Sequence, residues 1–352
     1  MYFRTHMLAT SCTPVSATRR GSWRDVGDYQ LQPILNWMVI SPLFFEIAAF
    51  LVGLLFGSFL NVCISRLPEH KSVNKPRSHC MACGKTIRWY DNVPLLSWLV
   101  LRGKCRDCGA RISWRYPAVE LAVGVLFLMP GLNLSQLQPH VLREIGLPLS
   151  AVAPNLMIPT IPFTILGFLL IGLIVMDWQT HTLPDAFTLT GTLIGFVLVF
   201  VHAAFLGTGE GDIHFDPQRK LRLSSPGSFV AKGDVFMTGP EHLVLGRLLA
   251  IVCAAGLLLL IRYVYKKLRG REGLGFGDAK LMAMIAAFLG FWPAMLALFL
   301  GVVLCSAYAI TLLVRGRATA ATQLPLGTFL SIGGLIAAVA GAPTIAWYSS
   351  LL

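Results

Sequence analysis

Eight apolar segments of about bilayer length constrain this chain more than any other feature. A membrane-spanning helix needs about 20 apolar residues. Such runs fall at 42–64, 117–132, 158–176, 185–206, 242–265, 277–291, 293–314 and 324–348. The second and sixth are short, and Pro293 divides the sixth from the seventh, so that pair also reads as one broken helix. Only 13% of the residues are charged, against about 25% in a soluble domain, and the mean hydropathy is +0.67. This composition excludes a soluble protein with a large core. It specifies an all-α, polytopic membrane bundle of about eight spans.

The polar segments between the runs set the orientation. The loop 65–116 holds eleven Lys and Arg against Glu69, Asp91 and Asp107. Lys266, Lys267, Arg269 and Arg271 stand in 266–276, and Arg315 and Arg317 in 315–323. With eight spans all three loops fall on one side, and the positive-inside rule makes that side cytoplasmic. It also accounts for the net charge of +12, so the basic balance is no sign of a nucleic-acid partner. The bilayer itself is the expected partner. Both termini then lie outside. The loop 207–241, mixed in charge and rich in Gly and Pro, reads as an external insertion. Residues 1–40 read as a disordered extension without the apolar core of a secretory signal, with a start at Met38 as the alternative.

Four of the eight cysteines form two pairs within the basic loop, Cys80-x2-Cys83 and Cys105-x2-Cys108, separated by 21 residues. Each pair ends at a glycine, Gly84 or Gly109, suited to the tight turn that lets two thiolates face one ion. Four thiolates at this spacing describe a closed tetrahedral zinc site with a structural role. The loop 65–116 is therefore expected to be a small cytosolic zinc-binding insert, too small to fold without its metal.

Carboxylates at the membrane are costly and mark function. Glu46, Glu120, Asp177, Asp185 and Asp278 lie in or at the ends of spans. Asp177 ends the third span, Asp185 begins the fourth and Asp278 the sixth, all at the expected cytoplasmic face. Asp185 follows Pro184 and suits the first turn of a helix. The Gly275-x-Gly277 step before Asp278 permits close approach of another segment. Two aspartates from different helices could share one proton, activate a water and protonate a leaving amine. Asp177 and Asp278 fit that pairing. Glu120, Asp185, Gly275, Gly277 and Lys280 are candidate supporting or substrate-binding residues.

Six stretches in order resemble the type IV prepilin leader peptidases, membrane aspartic proteases with a GxGD motif. They are "GSFLNVCISRLP" (57–68), the cysteine pairs with "DNVPLLSWLVLRGKCRDCG", "RYPAVEL" (115–121), "MDWQTHTLPDAFTL", "GLGFGDAKLMA" and "LPLGTFLSIGG" (324–334). The resemblance implies cleavage of prepilins and type II secretion pseudopilins after the glycine that ends a basic leader. It also implies methylation of the new N-terminus with S-adenosylmethionine, and it places the catalytic roles on Asp177 and Asp278. A multi-pass protein of the bacterial inner membrane is expected, with its active site at the cytoplasmic face. No Gly-rich dinucleotide-type turn is present, so the methyl donor would bind the cytosolic face of the bundle or the cysteine loop. Asp185 or Glu120 would guide the basic leader past a basic loop. Met81 stands where the family usually has Pro.

Two other classes fit less well. A proton-coupled transporter would place its acids near the midplane and show related halves. A zinc-bearing adaptor would have no use for the aspartates.

Overall fold

The computed structural model describes residues 42–75, 77–135, 149–206, 240–270, 274–316 and 324–349. The expected extension over 1–40 and all but the last two residues of the loop 207–241 lie outside the described residues. Among the described residues every named element is helical, and the only β pairing is two isolated antiparallel bridges, His79–Thr86 and Lys104–Arg111. In chain order the helices are α1 (Pro42–Arg66), α2 (Leu96–Val100), α3 (Arg115–Ser135), α4 (Leu149–Thr180), α5 (Asp185–Leu206), α6 (Pro240–Arg269), α7 (Phe276–Leu289), α8 (Phe291–Val314) and α9 (Leu326–Ser349). Short 3-10 turns lie at Leu67–Glu69 and Trp89–Asn92.

Four stretches among the described residues are long and apolar enough to cross a membrane: Glu46–Glu69, Thr160–Thr180, Val244–Arg269 and Phe291–Val314. Asp185–Val201 and Leu326–Gly341 are apolar but shorter. The described residues are thus all-helical, with the several apolar helices of a multi-pass membrane protein.

Local chemistry sets the ends of the elements that matter. α4 begins before 158 and runs through Pro154, Pro159 and Pro162; such breaks are tolerated where a membrane leaves the backbone no water to bond instead. It closes at His181, whose amide bonds the Asp177 carbonyl at 2.9 Å and whose φ is +49°. Pro184 then disfavours helix at Leu183, and α5 starts at Asp185. A single residue, Gly290 at φ +88°, joins α7 to α8. The break therefore sits three residues before Pro293, which lies inside the first turn of α8.

α1 packs along α3, α3 against α4, α4 against α9, and α9 against α8. α7 is the hub, touching α5, α6, α8, α9 and α4. Nine of its 14 residues are buried. At 1.5 Å per residue it is about 21 Å long, short of the roughly 30 Å hydrocarbon core. A helix apolar on all sides and shorter than the bilayer is stable only inside a bundle. Its beginning, at Asp278, is therefore walled by protein rather than lipid.

α1 and α3 approach so closely that a Cβ on Gly57 would stand 2.6 Å from the Glu120 Cα. Backbone cannot move aside as a flexible side chain does. Gly57→Val is expected to lower the thermal midpoint of the detergent-solubilised protein, by a cost of roughly 1–3 kcal/mol. Gly256 in α6 has nothing within 4 Å of its would-be Cβ; Gly256→Ala is expected to leave the midpoint unchanged or raise it.

Candidate active site and metal centre

The cysteine loop is built from two matching knuckles. In the first, the Cys80 amide bonds the Lys85 carbonyl at 2.9 Å and the Gly84 amide bonds the Cys80 carbonyl at 2.8 Å. In the second, the Cys105 amide bonds the Ala110 carbonyl at 2.8 Å and the Gly109 amide bonds the Cys105 carbonyl at 2.9 Å. Gly84 and Gly109 sit at φ +71° and +70°, the left-handed conformation that favours glycine. Each β-bridge closes one knuckle.

The four Sγ atoms lie within 4.8 Å of one another, and Cys80 and Cys108 are 3.8 Å apart. A tetrahedron with 2.3 Å metal–sulfur bonds has edges of about 3.8 Å, so the donor set fits one ion and leaves no position open. Backbone N–H groups of Cys83 and Ala82 pull the Cys80 thiol down to about 6, favouring the thiolate that ligation needs. Met81, between the paired cysteines, is 82% exposed and takes no part in the turn's hydrogen bonds. Arg106 clamps Asp91 through Nε and Nη2 at 2.6–3.1 Å. Those bonds hold the Asp91 carboxyl below its usual range.

A second cluster forms where α4 ends and α7 begins. Asp177 and Asp278 are 5% and 7% exposed, on helices that touch each other. Asp177 Oδ2 accepts from the Thr328 amide at 2.6 Å and from its hydroxyl at 3.0 Å. Asp278 Oδ2 accepts from the Gly275 amide at 3.1 Å, so this carboxylate also satisfies an orphan donor at the start of α7. Leu183 packs beside both. Its side chain stands 3.1 Å from where a Gly277 Cβ would be and 2.9 Å from where a Gly327 Cβ would be. A Gly327 Cβ would also lie 3.1 Å from the Asp177 carboxyl carbon. Gly277 thus admits a neighbouring side chain rather than a backbone.

The supporting candidates divide. Lys280 donates to Asp185 at 2.6 Å and lies over the Phe276 ring, tying α7 to α5. Glu120 is buried and accepts from the Leu95 amide at 2.8 Å. Both carboxylates are therefore engaged within the fold. Thr328, Gly327 and Leu183 were not singled out by sequence reasoning. Their signals were present in "THTLPD" and "LPLGT", but nothing linear tells that the two stretches meet. Cys305 on α8, also unforeseen, is buried within electrostatic reach of both aspartates.

A cavity of about 800 Å³ separates the insert from α1 and α3. Val62, Ile112 and Trp98 form part of its apolar lining, with Asn61, Arg66 and Glu120 among its polar residues. Asn61 is 4% exposed; its Nδ2 donates to the Tyr116 carbonyl at 2.9 Å, while its Oδ1 has no partner in the protein.

Comparison with known proteins agrees with these features. The Bacterial Peptidase A24 N-terminal domain matches residues 51–134, a stretch that includes all four paired cysteines. The Type IV leader peptidase family matches residues 229–310, which include Asp278. The prepilin leader peptidase/N-methyltransferase of Klebsiella pneumoniae is 34% identical over 70% of this chain and 85% of its own length. That of Aeromonas hydrophila is 30% identical over 89% and 95%. That of Myxococcus xanthus is 33% identical over 79% and 67%. No solved structure matches the chain.

The metal centre has a direct test. Elemental analysis of the purified protein is expected to find about one thiophilic divalent ion per chain. Cys105→Ser should lose it, and chelation should sharply increase tryptic cleavage between Lys75 and Arg111.

Proposed function

We infer, because the chain belongs to the type IV leader peptidase family, that it is a membrane aspartic endopeptidase and N-methyltransferase. It cleaves the basic leader of prepilins and pseudopilins after glycine and methylates the new N-terminus with S-adenosylmethionine. The observation that carries the peptidase reading is the meeting of Asp177 and Asp278 from separate helices.

The eight long helices are the proposed spans, with 65–116, 266–276 and 315–323 in the cytoplasm of a bacterial inner membrane. The contacts around the aspartates support one common face. Arg115 bonds Gln179, and more weakly the Ser65 hydroxyl at 3.5 Å. Trp178 packs on Tyr308, and Tyr308 on Phe329. Ser65 and Arg115 belong to the loop that charge assigns to the cytoplasm, Trp178 and Gln179 follow the third span at that expected face, and Tyr308 and Phe329 lie in the cytoplasmic halves of their expected spans. The cysteine site is read as structural zinc, clipping the insert.

The peptide bond to be cut enters this face as part of an apolar helix. A pair of neighbouring carboxylates shares one proton, because both cannot ionise at short range. The ionised member takes a proton from water as its oxygen attacks the scissile carbonyl. The protonated member hydrogen-bonds the developing oxyanion, and a proton then passes to the leaving amine. The two donors of Thr328 fix the Asp177 carboxylate in orientation. Leu183 and the surrounding apolar wall keep bulk water out, which strengthens each of these interactions. The Lys280–Asp185 pair positions α7 against the start of α5.

The methyl donor is assigned to the 800 Å³ cavity, a volume suited to a ligand of that size. When bound, the donor supplies an activated methyl group. The chain supplies Trp98, Val62 and Ile112 as apolar wall. Asn61 Oδ1, unpaired within the protein, is the acceptor able to orient an incoming amine.

Asp177→Asn and Asp278→Asn are each expected to reduce cleavage of a purified prepilin roughly 10²–10⁴-fold, with Asp185→Asn far less affected. Full cleavage by both of the first two would overturn the peptidase assignment. Separately, Asn61→Leu is expected to lower transfer of labelled methyl from S-adenosylmethionine to mature pilin by roughly 5- to 100-fold, the loss of one buried hydrogen bond, while cleavage persists. Equal loss of both activities would make Asn61 only a tie between α1 and α3.

A further inference from the structure

The insert contains one short helix that is apolar but for Ser97, whose hydroxyl is taken up by the Val93 amide and the Tyr90 carbonyl. α2 reads Leu-Ser-Trp-Leu-Val and is flanked by Leu95 and Leu101. A helix of that kind is buried in protein or in membrane. One side is covered: Trp98 packs on Gly103, donates from Nε1 to the Ile112 carbonyl at 3.3 Å, and with Leu95 and Leu101 lines the cavity. The other side is bare. Leu96, Leu99 and Val100 are 58%, 64% and 67% exposed, and their spacing puts them on one stripe.

The level of this stripe can be read from hydrogen bonds. Arg115, Ser65 and Gln179 meet at the rim of the bundle. The Leu95 amide is bonded well inside that rim, to Glu120, whose backbone packs against Gly57. Glu120 is five residues into α3 from Arg115, and Gly57 eight residues into α1 from Ser65. At 1.5 Å per residue these steps set the Glu120 backbone roughly 7–12 Å below the rim. α2 is thus hung beside the bundle, at the depth where headgroups give way to acyl chains, and not above it. Its flanks suit that depth. Trp89 and Trp114 are exposed, as are Arg88, Arg102 and Lys104. Interfacial tryptophans and basic residues are what a membrane surface with anionic lipid attracts.

We propose that the segment from Trp89 to Lys104 is re-entrant, and that the Leu96, Leu99 and Val100 face is seated in the lipid of the cytoplasmic leaflet. The insert is then held by three attachments: α1, α3 and the bilayer. This rests on the membrane reading of the bundle and not on the peptidase reading, and its test reads no activity.

A genetically encoded environment-sensitive fluorescent residue is placed at Leu99, and separately at Val100, in the full chain. The protein is reconstituted in phosphatidylethanolamine and phosphatidylglycerol vesicles. Leu193 in α5, 63% exposed, is the lipid control, and Met81 at the tip of the metal loop is the aqueous control. Both α2 positions are expected to be quenched by brominated acyl chains at least half as strongly as Leu193. They should also be several-fold less quenched by iodide than Met81. Iodide quenching equal to that of Met81, with no effect of brominated lipid, overturns the proposal. Shielding that appears only on adding prepilin, or only at high protein-to-lipid ratio, also overturns it, and would assign the face to the substrate or to a second copy.

Discussion

The placement of two carboxylates inside an apolar bundle is the constraint on which the rest depends. An ionised carboxylate that leaves water without a partner is driven to protonate or to unfold its surroundings. Here the partners come from the backbone and from one hydroxyl: Gly275 for Asp278, and Thr328 for Asp177. Such donors need room, and the room comes from residues without side chains. Gly277 and Gly327 each leave a gap that Leu183 fills. The same leucine therefore fixes the spacing of the segment that bears Asp278 and the segment whose Thr328 holds Asp177. α7 completes the arrangement by being short, since a helix of full bilayer length would carry Asp278 out of the protein wall and into water or headgroups.

The insert follows a different logic. It has almost no core: none of the residues in α2 or in its two 3-10 turns is fully buried. Its order comes from cross-links in the broad sense, namely the four thiols, the Arg106–Asp91 clamp and the Leu95–Glu120 bond. The last joins the insert to the part of α3 that packs on Gly57. The close packing of α1 on α3 and the position of the insert are thus one structural fact. A side chain at Gly57 would displace Glu120 and with it the cavity wall.

Much of this was legible in the sequence because membranes simplify the code. Apolar length alone marked stretches that are helical in the structure, and the CxxC spacing with its following glycines marked both knuckles. The pairing proposed for Asp177 and Asp278 came within reach because charge put both at one expected face. Less was legible where linear signals compete. Apolar length set the start of the third span at 158, yet α4 runs from Leu149 through three prolines, because hydrocarbon offers the backbone no other bonds. The acids Glu120 and Asp185 looked available for a substrate, but their partners, Leu95 and Lys280, are 25 and 95 residues away. Thr328 and Leu183 were invisible for a similar reason: an aspartate's partner 151 residues along the chain leaves no periodic trace.

The two chemistries of the family place opposite demands on one small region. Peptide cleavage needs a water and two acids at the membrane surface. Methyl transfer needs an unprotonated amine and a site from which water is excluded. On the proposed assignment the demands are met by neighbouring sites, not by one. The aspartates belong to α4 and α7, and the cavity belongs to α1, α3 and the insert. Arg115 bridges them, since it starts α3 beside the cavity and bonds Gln179, two residues beyond Asp177. A pilin helix cut at the aspartates keeps its apolar body in the bilayer, so its new N-terminus can reach the cavity by sliding along the rim without leaving the membrane. The order of the two reactions then follows from geometry: while the leader is attached, no amine exists to enter the cavity, and once it is gone nothing else need move.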